Sequence, residues 1–456
     1  MDPIYERAGA PPPTPLDRIL APRGNSCSDA VFVRRIFLDV TGTLPTAAEA
    51  AAFLKDPDRT ALIDRLLASD GYPAYYAMKW SDILRVKAEF PVNLWPNAAQ
   101  AYYHWIRAAL AANQPYDRFA RELLTSSGSN FRDPAVNFYR ALQSREPQAI
   151  AQAVSQTFLG VPPPPDSAGF FSQIGYKSTK EWKEEIVYFD PSKRRGPTFL
   201  SIPPNQDPRE VFAAWLTSPR NPYFAKAIVT RIWTWLLDTP PQSPELFSYL
   251  SSELTSHRYD LKHVYRLILA SNTYQLSPIP PPPPNPRPLT PDSASAASSS
   301  YPLRRLDAEV LADAINSIAG TTDSYTSAIP EPYTFMPDDQ RAVELPDGSI
   351  TSAFLDLFGK PARDTGLETE RNNRMTDAQR LHLLNSTSIQ RKLQQGPHLA
   401  QIRRESRDPR ELVNQLYLTI LSRYPSETEW KLIQSHGQLN DLPWALLNST
   451  EFLCRH

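Results

Sequence analysis

Forty-seven prolines stand against fifteen glycines in this chain, and no other feature constrains its fold as strongly. Each proline fixes φ near about −65° and removes a backbone donor, so it belongs in a first helical turn, a turn or an extended connection. Average usage would put glycine ahead. With so little glycine, positive-φ turns are few. Neither GxGxxG nor GxxxxGK[ST] occurs, which argues against a glycine-cradled phosphate site. The expected architecture is mostly α, two helical domains with a small β-hairpin element and long Pro-rich connections.

The periodicity supports this. Residues 1–30 are Pro-rich (Pro11, Pro12, Pro13, Pro15) and read as an extended N-terminal segment. A first helical domain is expected over 31–165. Helical reading starts at Thr46, where Thr46-x-x-Glu49 forms a capping box ahead of Ala50, Phe53 and Leu54. Apolar stripes follow at Leu62–Leu67, Tyr72–Lys87, Tyr102–Leu110 and Ile150–Leu159, the last behind Pro147 at a first-turn position. Residues 166–206 read as an irregular connector with short strands possible. A second helical domain is expected over 207–456, opening on Asp207 as N-cap with Pro208 at the first position. Its helices read as Pro222–Leu237, Pro244–Thr255, Leu261–Ser271, Leu303–Ala319, Thr376–Leu393, Asp408–Leu421, Ser426–His436 and Pro443–Phe452. Asp347-Gly348 is a hairpin signal. A Pro/Ser-rich spacer at 278–300 interrupts this domain and has too few apolar residues to bury a core.

Composition excludes several functions. Lys+Arg of 48 against Asp+Glu of 49 leaves no net field to draw the chain to nucleic acid or an anionic membrane. Lys193-Arg194-Arg195 is too short a basic run to change that. No apolar run reaches the roughly 18 residues of a spanning helix. The segment Met1–Arg7 has no basic-then-apolar pattern, so no signal peptide is visible. On this evidence alone the chain reads as soluble and cytoplasmic, and a mature secreted chain would look the same.

Chemistry-bearing motifs are sparse. Cys27 and Cys454 are the two cysteines; a disulfide would tie the termini together, and two unpaired thiols are the alternative. They cannot form a zinc site without histidines, and no CxxC or CxxCH occurs. The seven histidines (His104, His257, His263, His382, His398, His436 and His456) include no HxxxH or HExxH pair. His257 and His263 flank a turn and read as solvated helix-end side chains rather than a ligand pair. His382 is one polar side chain in an apolar helix, a hydrogen-bonded core residue by default and a candidate site residue otherwise. No GxSxG occurs, so a serine nucleophile has no support. Two clusters carry more charge than a packed helix needs. One is Arg304-Arg305-Leu306-Asp307-Ala308-Glu309, with Glu309 and Asp313 at i, i+4; the other is Glu368-Thr369-Glu370-Arg371-Asn372-Asn373-Arg374. They could clamp an anionic or sugar ligand, with Arg305, Asp307, Glu309, Glu370 and Arg371 as binding residues. First-turn acids and interhelical ion pairs account for the same residues structurally, and that account has more weight. No cofactor or metal site is expected.

The run Arg34-Arg35-Ile36-Phe37-Leu38-Asp39-Val40-Thr41-Gly42-Thr43-Leu44-Pro45-Thr46, followed by Ile63-Asp64-Arg65-Leu66-Leu67, resembles the first of two paired domains in a secreted bacterial family. Arg231-Ile232-Trp233, Ser271-Asn272-Thr273-Tyr274, Arg304–Glu309, Phe358-Gly359-Lys360-Pro361, Glu370-Arg371 and Leu421-Ser422-Arg423-Tyr424-Pro425 resemble the second. That family is best known from planctomycetes and acidobacteria, is often fused to a cytochrome-c-like domain, and has no known reaction. The resemblance implies an extracytoplasmic location, periplasm or cell surface. Family members usually carry a CxxCH-type stretch where this chain reads Pro162-Pro163-Pro164-Pro165-Asp166-Ser167. A Gly-Arg-Gly turn with an acidic loop is also replaced, by Leu237-Asp238-Thr239-Pro240-Pro241. A relative that keeps the framework and loses these loops implies a non-catalytic binding or scaffold protein. Its partners would be other proteins in a multi-subunit complex or further copies of itself, recognised through aromatic and Pro-rich surface. A polysaccharide-binding or polysaccharide-degrading protein is one alternative. An accessory subunit of an electron-transfer complex is the other.

Overall fold

The computed structural model describes residues 2–7, 9, 11–89, 94–241, 243–280, 300–329, 331–437 and 439–456. Most of the 278–300 spacer lies outside the described residues. The rest is mostly α, as the proline and periodicity arguments require, and its prolines sit where their chemistry allows. They open the helices Pro96–Ala111, Pro147–Phe158, Pro208–Leu216, Pro222–Leu237, Pro244–Ser256, Pro397–Glu405 and Pro409–Leu421, each at a position where no intrahelical N–H is needed. The Thr46 capping box forms, with Thr46 Oγ1 accepting from the Glu49 N–H and the Glu49 carboxylate accepting from the Thr46 N–H. Asp207 caps the helix that follows it. Among the described residues, no helix is long and apolar enough to cross a membrane.

Several boundaries move for identifiable reasons. Arg304-Arg305 does not open a helix: it pairs antiparallel with Cys454-Arg455, and the helix begins at Ala308. Asp347-Gly348 is not a hairpin turn, because the buried Asp347 carboxylate is spent accepting the N–H groups of Ala88 and Ser349. The β-hairpin element lies instead in the 166–206 connector, where Ile174–Ser178 pairs with Glu185–Phe189 and the second strand also pairs with Gly128–Ser129. The Thr376–Leu393 stretch is two helices, Asp377–Asn385 and Thr387–Gln395, meeting at Ser386, which caps the second.

Asp29–Val40 is a helix that periodicity does not reveal, because it is enclosed on every side: Val31 through Val40 are all buried, including Arg34, Arg35 and Asp39. The two arginines bind it to distant parts of the chain. Arg34 donates to the carbonyls of Ile420 and Phe452, each at 2.8 Å. Arg35 donates to those of Tyr274, Leu276 and His456, and its guanidinium lies 3.7 Å from the centre of the Tyr301 ring. Burial pushes the Arg34 guanidinium down to about 10. One contiguous apolar core therefore runs from Leu16 to Leu453, through both helical regions. Arg35→Met strands three buried acceptors and is expected to cost about 3 kcal/mol. Urea unfolding measures it; a loss of less than a third of that value would mean the carbonyls find other donors.

The termini of the described chain lie together in this core. Cys27 and Cys454 are free thiols held in different surroundings: Cys27 is buried beneath Arg59, and Cys454 pairs with Arg305 across the small sheet. His456 is buried against the edge of the Tyr5 ring. Burial, reinforced by Arg34 and Arg35, pushes its imidazole down to about 3. Below its ordinary value of 6.5 the unfolded chain takes up a proton that the folded chain refuses, so stability falls as pH drops from there toward 3. Asp313, pushed up to about 6 by burial, acts in the opposite sense, so the comparison is with the His456→Leu variant. Between pH 6.5 and about 5 the wild type should lose roughly 2 kcal/mol more than H456L; parallel stability curves would contradict this.

Candidate functional site

A cleft of about 930 Å³ opens where the Gly71–Ile83 helix, the end of Pro222–Leu237, the Arg304–Glu309 segment and the Glu368–Arg374 loop converge. Each element arrives for a local reason. Ile83 and Trp80 bury one face of the first helix and leave Lys79 and Asp82 on the cleft side. The two-residue pairing with Cys454-Arg455 holds Arg304 and Arg305 extended. A turn at Glu368–Glu370 redirects the chain so that Arg371 points inward.

The floor is a buried charge network centred on Asp307. One oxygen, Oδ2, accepts from Tyr75 Oη at 2.9 Å, Lys79 Nζ at 2.7 Å and Arg455 Nη2 at 3.0 Å. The other accepts from Asn373 Nδ2 at 2.6 Å. Burial works to raise the Asp307 carboxyl, but Lys79, Arg371 and Arg455 outweigh it and hold the group well below the usual carboxylate range. Arg371 is a second hub. Its Nη1 and Nη2 grip Glu309 at 2.6 and 3.1 Å, and its Nε and Nη2 grip Asp82 at 3.2 and 2.8 Å. Asp82 also accepts from Arg363 Nε at 3.0 Å. Behind them, the buried Asp39 accepts from Tyr274, Tyr301 and Arg455.

Arg305, Asp307, Glu309 and Arg371, drawn from two clusters more than fifty residues apart in sequence, are thus brought to one place. Arg305 donates through Nη2 to the carbonyls of Phe358 and Asn372, leaving Nε and Nη1 without a hydrogen-bond partner at the cleft wall. Glu370 lines the cleft but faces away from the network, accepting the N–H groups of Asp364 and Thr365. Glu309 and Asp313 do not act as a carboxylate pair: Asp313 instead accepts the N–H groups of Ala342 and Val343. His382 lies outside the cleft, edge-on to Phe354 and Phe358, the ring on which Arg305 also rests. Lys79, Asp82, Asp39, Tyr75 and Arg455 complete the network and were not picked out by sequence reasoning. For Lys79 and Asp82 the available signal was two charges inside an aromatic helical stripe, and for Asp39 a charge closing an apolar run.

Chemically, the buried carboxylates Asp39, Asp82, Asp307 and Glu309 are each paired with at least one arginine or lysine. Asp82 and Asp307, held below the usual carboxylate range by these cations, hold geometry and do not exchange protons near neutral pH. Of the charged groups lining the cleft, Arg374, Asp238 and Glu368 are exposed, while Arg305 is buried.

No curated protein and no solved structure matches the chain. Two family profiles do, both of proteins of unknown function: PSCyt2 (DUF1549) over residues 19–162 and PSD1 (DUF1553) over residues 208–436. They are the paired domains associated with planctomycete cytochrome c. The Asp307 and Arg371 hubs fall in the second matched region and reach Lys79, Asp82 and Tyr75 in the first, so the cleft is built at their junction. The chain belongs to the PSD1 family of proteins of unknown function, with a PSCyt2 region preceding the PSD1 region.

Proposed function

We propose that the chain is a non-catalytic binding or structural protein of the extracytoplasmic space, with the cleft at the junction of its two regions as a docking surface for another protein. The supporting observation is the charge state of the cleft. Asp82 and Asp307 are held ionised below the usual range by Arg371, Arg363 and Lys79, so neither is poised as a general acid or base. What faces outward is suited to recognition: the exposed Leu303 and half-buried Trp235 beside the exposed Arg374, a pairing of anchor and charged rim common at protein interfaces. The extracytoplasmic location rests on the resemblance to the secreted family.

A photo-crosslinking amino acid placed at Leu303, in chain returned to its source, tests this. One defined protein partner should be captured from that position, not from the distant Trp444, and the capture should be lost in Arg374→Glu while melting is unchanged. A chain that stays monomeric and uncrosslinked, or that cleaves a polysaccharide in an Asp307-dependent manner, would overturn the reading.

A second reading has its own observation. Trp182 and Tyr333, 64% and 48% exposed, meet Trp95 edge-on at 5.9 and 5.1 Å, away from the cleft. Such a platform suits sugar rings, and binding of the chain to insoluble polysaccharide, lost in Trp182→Ala, would favour it.

A further inference from the structure

The turn between the Pro244–Ser256 and Leu261–Leu269 helices brings together three ligand-type side chains that play no part in the cleft. Glu253 and His257 are one helical turn apart, so they share a face. Tyr259 and Asp260 then reverse the chain, and Asp260 caps the second helix by accepting the His263 N–H at 3.2 Å. This returns His263 to the same spot. Glu253 Oε2 lies 2.9 Å from His263 Nε2 and 3.5 Å from His257 Nδ1. One oxygen and one nitrogen from each imidazole all fall within 4.8 Å of one another.

The geometry points to a site for a divalent transition metal, Zn²⁺ or a similar imidazole-seeking ion, held by Glu253, His257 and His263. The donor set is the argument. Two imidazoles and a carboxylate suit zinc, copper or nickel rather than calcium or magnesium, which take oxygen ligands. Tetrahedral bonds to zinc put neighbouring donors roughly 3.4 Å apart, and both Glu253 contacts are already near that spacing. The adjustment falls on the imidazoles, which stack with centroids 3.7 Å apart and must tilt so that their in-plane lone pairs converge. His257, with a side chain 49% exposed, has room to turn away from the Glu253 carbonyl that its Nδ1 now meets at 2.9 Å. Three protein ligands leave a fourth position for water or for a side chain from a partner. The ion would also pin the end of one helix to the start of the next, which couples its binding to folding.

The test uses the full chain stripped with EDTA and titrated with zinc chloride by calorimetry, alongside melting with and without zinc. One equivalent should bind and raise the melting temperature. His257→Ala and His263→Ala should each weaken binding roughly tenfold or more, and the double variant should lose the thermal shift. Because His263 is partly packed, Glu253→Gln is included as a variant that preserves shape while removing the charged ligand. The proposal is overturned if the wild type binds no stoichiometric zinc, or if H257A and E253Q bind it with unchanged affinity, which would put the ion elsewhere.

Discussion

Arg371→Leu is expected to destabilise the protein by about 3–5 kcal/mol, the range observed when one partner of a buried ion pair is removed and the other is left behind. Arg371 is the shared partner of Asp82 and Glu309, and it stands 3.9 Å from Asp307. None of these side chains is more than 8% exposed. Leucine fills part of the volume but supplies none of the four hydrogen bonds, so Glu309 loses both donors it has from Arg371. Asp82 keeps Arg363 alone. The order of severity can also be tested. Arg371→Lys restores a charge but not a bidentate fork, so it should fall between the wild type and the leucine variant. Urea unfolding gives all three values. A leucine variant within 1 kcal/mol of wild type would mean that the carboxylates protonate or rehydrate at little cost.

Neither helical region should fold when expressed alone. A fragment covering residues 31–165 keeps Arg34, Arg35, Asp39, Lys79 and Asp82 but loses their partners at Ile420, Phe452, Tyr274, Leu276, Asp307, Arg371 and Arg455. Five ionic side chains would then face an apolar core or force it open to water, a penalty larger than the stability of a typical domain. The expected result is a fragment with little near-ultraviolet dichroism and no cooperative melt. Co-expression with residues 207–456 should recover both signals in a complex. A sigmoidal melt from the first fragment by itself would refute this.

Much of the architecture was legible because the signals are local. Proline at the first turn and Thr46 or Asp207 at the cap act within a few residues, so the sequence carries them in full. The Asp29–Val40 helix escaped because a helix buried on all sides has no polar face to set a period. The helix expected at Leu303 begins late because its first residues answer to Cys454 and Arg455, nearly 150 positions away. At the candidate site the same division holds. The density of charge in Arg304–Glu309 and Glu368–Arg374 singled out two segments that the fold brings together through Arg371 and Glu309, and it favoured ion pairing over ligand binding as their role. It could not show that Glu309 and Asp82 share the Arg371 guanidinium while Glu370 turns away. Only the fold decides which oxygen meets which nitrogen.

The link between Arg455 and Asp39 has a consequence in time. The two residues are 416 positions apart in the chain. At a ribosomal rate of about 5–20 residues per second, roughly 20–80 s separate the appearance of the first from that of the second. Throughout that interval Asp39 lacks one of its three donors, and Asp307, the partner of Lys79, waits for the same arginine. The charge network that joins the two helical regions is therefore completed only once Arg455 has been made, long after the helices that it ties together.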